Sequence, residues 1–86
     1  MNTQERITTI LQQALKPDYL EVIDESQLHA GHSGSREGGQ THYRVKIATA
    51  AFQGQTRLAC HRRIHELLAA ELQDGVHALA LETRAS

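Results

Sequence analysis

Aromatic residues are scarce in this chain: two tyrosines, one phenylalanine and no tryptophan among 86 residues. A core is therefore expected to be built from Leu, Ile, Val and Ala. With 40% hydrophobic residues, six glycines and one proline the composition is globular rather than disordered. A single cysteine, Cys60, excludes an internal disulfide. No apolar run approaches the about 18 residues of a membrane span. The start MNTQERITTILQQAL lacks the basic residues, long apolar stretch and small-residue cleavage site of a signal peptide, so a cytoplasmic protein is expected. Charge of one sign is not in excess either. The net charge is −1 and the pI near 6.6, which removes any general pull on nucleic acid or anionic membrane. A chain this short buries only about 60% of its unfolded surface, so residues 1–86 are expected to form one domain around one small core.

What is present arranges itself as α-β-β-α-β. Ile7, Ile10, Leu11, Ala14 and Leu15 recur at amphipathic-helix spacing, with Asn2 and Glu5 placed for capping and Pro17 as the stop. YLEVID, residues 19–24, predicts a strand that runs into an acidic, turn-prone DES. From Thr41 alternation is strict: Tyr43, Val45 and Ile47 point one way, His42, Arg44 and Lys46 the other. Thr56 caps a second helix, with Cys60, Ile64, Leu67, Leu68 and Leu72 on one side and an Arg62–Glu66 pair on the opposite one. Asp74 and Gly75 end it, and VHALALET, residues 76–83, is the third strand. This α+β order predicts a three-stranded sheet with the helices on one face.

Between the first two strands lies HAGHSGSREGGQTHY, residues 29–43, with three of the six histidines and four of the six glycines. A connection longer than about 12 residues is more often functional or mobile than structural. His29 and His32 form a His-x-x-His pair, and imidazole is the commonest metal ligand. A self-contained zinc site is not expected, because the chain offers neither Cys-x-x-Cys nor His-Glu-x-x-His to complete four ligands. His77 opens the third strand after a helix-ending glycine, at the rim of the sheet; a half-buried histidine bonded to backbone is the competing assignment. His61 and His65, four residues apart on the second helix, are expected to be packing residues whose polar tips reach water. Cys60 reads as a small buried hydrophobe. No nucleophile stands in an elbow, and no glycine-rich phosphate loop joins a strand to a helix. The chain is expected to be a binding module and not an enzyme.

Taken in order, LEVIDES, HAGHSG, THYRVKI, FQG, HRRIHELLAAEL and GVHALAL closely resemble the BolA family, from about Leu11 to Leu81. The resemblance implies a domain similar in topology to class II KH domains. It also implies a partner, since BolA proteins bind monothiol glutaredoxins of the Cys-Gly-Phe-Ser (CGFS) type and share a [2Fe–2S] cluster with them. In that picture the glutaredoxin cysteine and a glutathione thiol hold one side of the cluster, which exists only in the complex. On the BolA side the resemblance implies His77, from the family's VHAL segment, and a residue of the loop before the second strand, cysteine in some members and histidine in others. Aligned from the DES triplet, that loop ligand is His29, with His32 as the alternative. Two imidazoles in place of thiolates lower the negative charge of a cluster and raise its potential, as in Rieske centres, and histidine protonation makes it labile at low pH. The glycine-rich loop is then expected to close over the cluster. The implied function is iron–sulfur trafficking or iron and redox regulation, in a free protein that is a monomer or weak homodimer. One departure is that Cys60-His61-Arg62 stands where members commonly carry Arg-His-Arg.

The family's second proposed role is DNA-binding transcriptional control. His42, Arg44 and Lys46 on the second strand, with Arg57, Arg62 and Arg63 on the second helix, are the candidate basic patch. The balance of charge, the sparse aromatics and the lack of a Gly-x-x-Gly joining two helices weigh against it.

Overall fold

The computed structural model describes residues 2–25, 42–76 and 78–86. Asn2 opens helix α1 (Thr3–Leu15), its side-chain oxygen accepting the Glu5 N–H at 2.8 Å. Lys16 ends the helix in the left-handed conformation (φ 44°) just before Pro17, which cannot continue it. Strand β1 (Tyr19–Asp24) follows, then β2 (His42–Thr49), a 3-10 turn (Ala50–Phe52), α2 (Arg57–Leu67), α3 (Ala69–Gln73) and β3 (Ala78–Ala85). The expected order is observed, with one added helix.

The strands lie in the order β1-β2-β3, with β1 antiparallel and β3 parallel to the central β2. The register aligns Val22, Val45 and Leu81 in one row across the sheet and Leu20 with Ile47 in another. This face packs against Ile7, Leu11 and Leu15 of α1 and Cys60 and Ile64 of α2. Each fully buried Leu, Ile or Val there contributes about 1.5–3 kcal/mol. The core is less purely aliphatic than composition predicts. Tyr43 is 1% and Phe52 4% exposed, so two of the three aromatics fill it, while Ala14, expected on the buried stripe of α1, is exposed. Thr49 Oγ1 donates to the Leu15 carbonyl at 2.6 Å and accepts the Ala51 N–H at 3.2 Å, tying the end of α1 to the end of β2.

Three expectations are corrected. The second helix does not run unbroken to Asp74: Leu68, at φ −101° and ψ 14°, leaves the helical region and separates α2 from α3. The amide of Leu68 still bonds to the Ile64 carbonyl and that of Leu72 to the Leu68 carbonyl, so the hydrogen-bond ladder continues across the break. Past the turn Glu71 is buried, its carboxylate held by Arg6 of α1 at 2.7 and 3.3 Å. Glu66 pairs loosely with Arg63 at 4.0 Å instead of Arg62. Val76, expected in the third strand, lies outside it, buried in the core with its N–H bonded back to the Glu71 carbonyl at 3.2 Å, and the strand runs on to Ala85. Gly75, at φ 122°, makes that reversal possible.

Candidate functional site

At one end of the sheet, the Glu25 N–H bonds to the His42 carbonyl at 2.8 Å, and His42 in turn pairs with Ala78 in the parallel ladder. The chain thus leaves the described sheet after Glu25 and re-enters it at His42, beside the strand that starts with Ala78. His29, His32 and His77, the expected cluster ligands, lie outside the described residues. What is described is their frame: Glu25 and His42 on either side of the long loop, Val76 and Ala78 on either side of residue 77.

Both sides of that frame are anchored. Arg44, the third residue of β2, donates to Glu25, just past the end of β1, at 2.9 Å and to Glu82 of β3 at 3.0 Å, so one guanidinium on the central strand ties both flanking segments. The two carboxylates raise its pKa, the hydrogen bond to Glu25 contributing most. On the other side, the Arg6–Glu71 clasp fixes α3 against α1, and the Glu71 carbonyl accepts from both Asp74 and Val76. Neither clasp is visible in the sequence pattern, because an acidic residue inside a helix or after a strand reads as surface. His42, expected on the open polar face, is only 9% exposed.

The remaining candidates fall elsewhere. His65 is exposed, its Nδ1 lying 2.8 Å from the His61 carbonyl. The polar tip of His61 does not reach water as expected: Nε2 is buried, without a hydrogen-bond partner among the described residues. Cys60, 5% exposed, is part of the core. Among the described residues no three of His, Cys, Asp and Glu gather as a group that could hold a metal ion. No described helix is long and apolar enough to cross a membrane.

The basic residues of strand and helix do not form one patch. Arg44 and Lys46 point to the open face of the sheet, whereas Arg57, Arg62 and Arg63 belong to α2, which covers the other face. On the open face Lys46 stands in register between Glu21 and Glu82. Tyr19 and Arg84 flank Ala48 there, the guanidinium lying 5.8 Å from the ring centroid across the small alanine. Lys46 and Arg57 border one depression, at residues 81–84 of β3, and Arg62 and Arg63 another, so no depression gathers all five.

Comparison with known proteins decides the family. The family model for BolA-like proteins matches residues 11–86. The chain belongs to the BolA family. It is 46% identical over 86 residues to an uncharacterized protein in the cobS 5' region of Sinorhizobium, covering 99% of this chain and 92% of that one. It is 42% identical over 83 residues to the DNA-binding transcriptional regulator BolA of Escherichia coli, covering 96% and 75%. Among solved structures, the BolA domain of SufE1 from Arabidopsis thaliana superposes with a TM-score of 0.88 at 38% identity, over 99% and 94% of the two chains. The chain spans about half the length of the mammalian BolA-like proteins it matches. The α-β-β-α-β order and mixed three-stranded sheet are thus those of a BolA domain.

Proposed function

We propose that this BolA-family chain is a non-enzymatic, cytoplasmic partner of a CGFS-type monothiol glutaredoxin, sharing a [2Fe–2S] cluster with it and with glutathione in iron–sulfur trafficking or iron and redox regulation. The ligands from this chain are His77 and His29, with His32 as the alternative to His29. The observation that carries this reading is the convergence at one sheet end of the residues flanking the loop, Glu25 and His42, with Val76 and Ala78, which flank residue 77. A shared cluster asks this chain for two neutral imidazoles, a donor set suited to one iron of such a centre. Cys60, sealed in the core, is not available as a thiolate donor. When bound, the cluster supplies a redox-active and transferable iron–sulfur unit; the protein holds one side of it and shields it from water.

The test is the visible absorption and circular dichroism of the chain mixed with a CGFS glutaredoxin, glutathione and reconstitution reagents. The heterodimer spectrum should differ from that of the glutaredoxin homodimer, and His77→Ala and His29→Ala should each remove the difference. A silent His29→Ala transfers the loop role to His32. A glutaredoxin spectrum that this chain leaves unchanged refutes the reading.

The name of the Escherichia coli relative supports a second reading, DNA-binding transcriptional regulation. On this chain it would rest on Arg57, Arg62 and Arg63, since Arg44 is engaged by two carboxylates. Salt-dependent DNA binding abolished by neutralising Arg62 and Arg63 is its signature.

A further inference from the structure

The outer side of α2 differs from the rest of the described surface. Elsewhere arginines are occupied within the molecule: Arg6 by Glu71, Arg44 by Glu25 and Glu82, Arg84 by the Tyr19 ring. On α2, Arg57, Arg62 and Arg63 are all exposed, and the acidic Glu66 meets Arg63 only at 4.0 Å. Beside them runs a groove of about 430 Å³ between α2, the 3-10 turn and the end of α1. Its apolar lining comes from Leu15, Ala51, Phe52, Leu58 and Ala59, and Arg62, Arg63 and Glu66 supply charge. Leu58 is 60% exposed, more than Tyr19, the other large apolar side chain exposed among the described residues. One exposed leucine is ordinary on a protein surface. Here the leucine stands at an apolar groove bordered by loosely paired arginines, a residue type enriched, with aromatics, at protein interfaces.

We propose that this groove docks an acidic segment of a partner protein, one bulky apolar side chain lying against Leu58 and Phe52 while flanking carboxylates engage Arg62 and Arg63. Charge complementarity selects the occupant. A second copy using the same patch would set arginine against arginine across a two-fold axis. A nucleic acid would leave Leu58 and the apolar lining without a role and bring phosphate to Glu66. A carboxylate takes the planar guanidinium fork in two parallel hydrogen bonds. The groove is small, so the contact is a transient one in the micromolar range. It uses none of the histidines assigned to the cluster and stands or falls independently of them.

The experiment titrates the isotope-labelled full chain by NMR with a synthetic acidic helical peptide whose leucines fall on one face. A peptide of the same composition with scattered leucines serves as control. Shifts should be confined to α2, Ala51, Phe52 and the end of α1, and the control should bind about tenfold more weakly. Leu58→Ser should weaken binding about tenfold while leaving the melting temperature unchanged, and Arg62→Glu with Arg63→Glu should abolish it. Equal binding of both peptides overturns the proposal in favour of charge alone. Duplex DNA that binds through Arg62 and Arg63 and ignores Leu58→Ser overturns it in favour of a nucleic-acid surface. Self-association blocked by Leu58→Ser assigns the groove to a second copy, and no shift up to about 1 mM peptide refutes it.

Discussion

On the helix-covered face of the sheet, Tyr43, Val45 and Ile47 are no more than 2% exposed, while their neighbours Arg44 and Lys46 on the open face remain partly in water. The first face is held by non-directional burial, which any residue of suitable size and polarity can join. The second is held by specific pairs: Arg44 with Glu25 and Glu82, Tyr19 with Glu21 and Arg84. Burial supplies most of the stability, because partly exposed ion pairs are screened by water and salt. Of these pairs, those of Arg44 fix how the strands align toward the end where the proposed cluster would sit, while those of Tyr19 lie toward the other end.

Three substitutions sharpen this contrast. Ile64 is fully buried beneath the covered face, so Ile64→Ala should cost about 3 kcal/mol in urea unfolding, from lost burial plus the cavity left behind. A loss no larger than that of a surface change would mean that the helices do not dominate the fold. Thr49, 1% exposed, combines both modes, packing in the core while its hydroxyl bonds to Leu15. Thr49→Val keeps the shape and leaves the Leu15 carbonyl unpaired, for about 1–2 kcal/mol; a neutral outcome would show that another donor or water takes the hydroxyl's place.

The smallest effect belongs to the open face. The Tyr19 hydroxyl donates to the Glu21 carboxylate at 2.7 Å, and this bond raises the phenol above its ordinary 10.0. Since the folded value is the higher one, the contribution is intact below the unfolded value and is lost as pH climbs through the folded one. Ultraviolet titration should show Glu21→Gln lowering the Tyr19 pKa toward 10.0, with a slightly flatter decline of stability at alkaline pH. An unchanged titration would remove the Tyr19–Glu21 bond from the list of forces on this face.

Much of the architecture was legible because it is written in local signals. Asn2, Pro17 and Thr56 mark helix ends through their own backbone and side-chain chemistry, and the alternation from His42 to Ile47 announces a strand with one buried face. Leu68 was not legible as a break: no glycine or proline marks it, and what accompanies the turn is the meeting of Glu71 with Arg6, 65 residues away. Nor could pattern alone show that the His61 Nε2 is buried, or that Arg44 is shared between acids 19 and 38 residues distant. The candidate ligands were legible as residue types at family spacing, and the structure adds the frame around them.

By itself, then, the sequence determined the kinds and order of the elements, the apolar faces and the BolA family, since these follow from residue chemistry repeated over a few neighbours. The tertiary structure decided the strand order, the parallel pairing of β3 with β2, the burial of Glu71 and the separation of strand and helix arginines onto opposite sides of the sheet. Those depend on which distant segments come into contact. That choice is made by the cooperative packing of one small core, in which no residue's position is set by its neighbours in sequence alone.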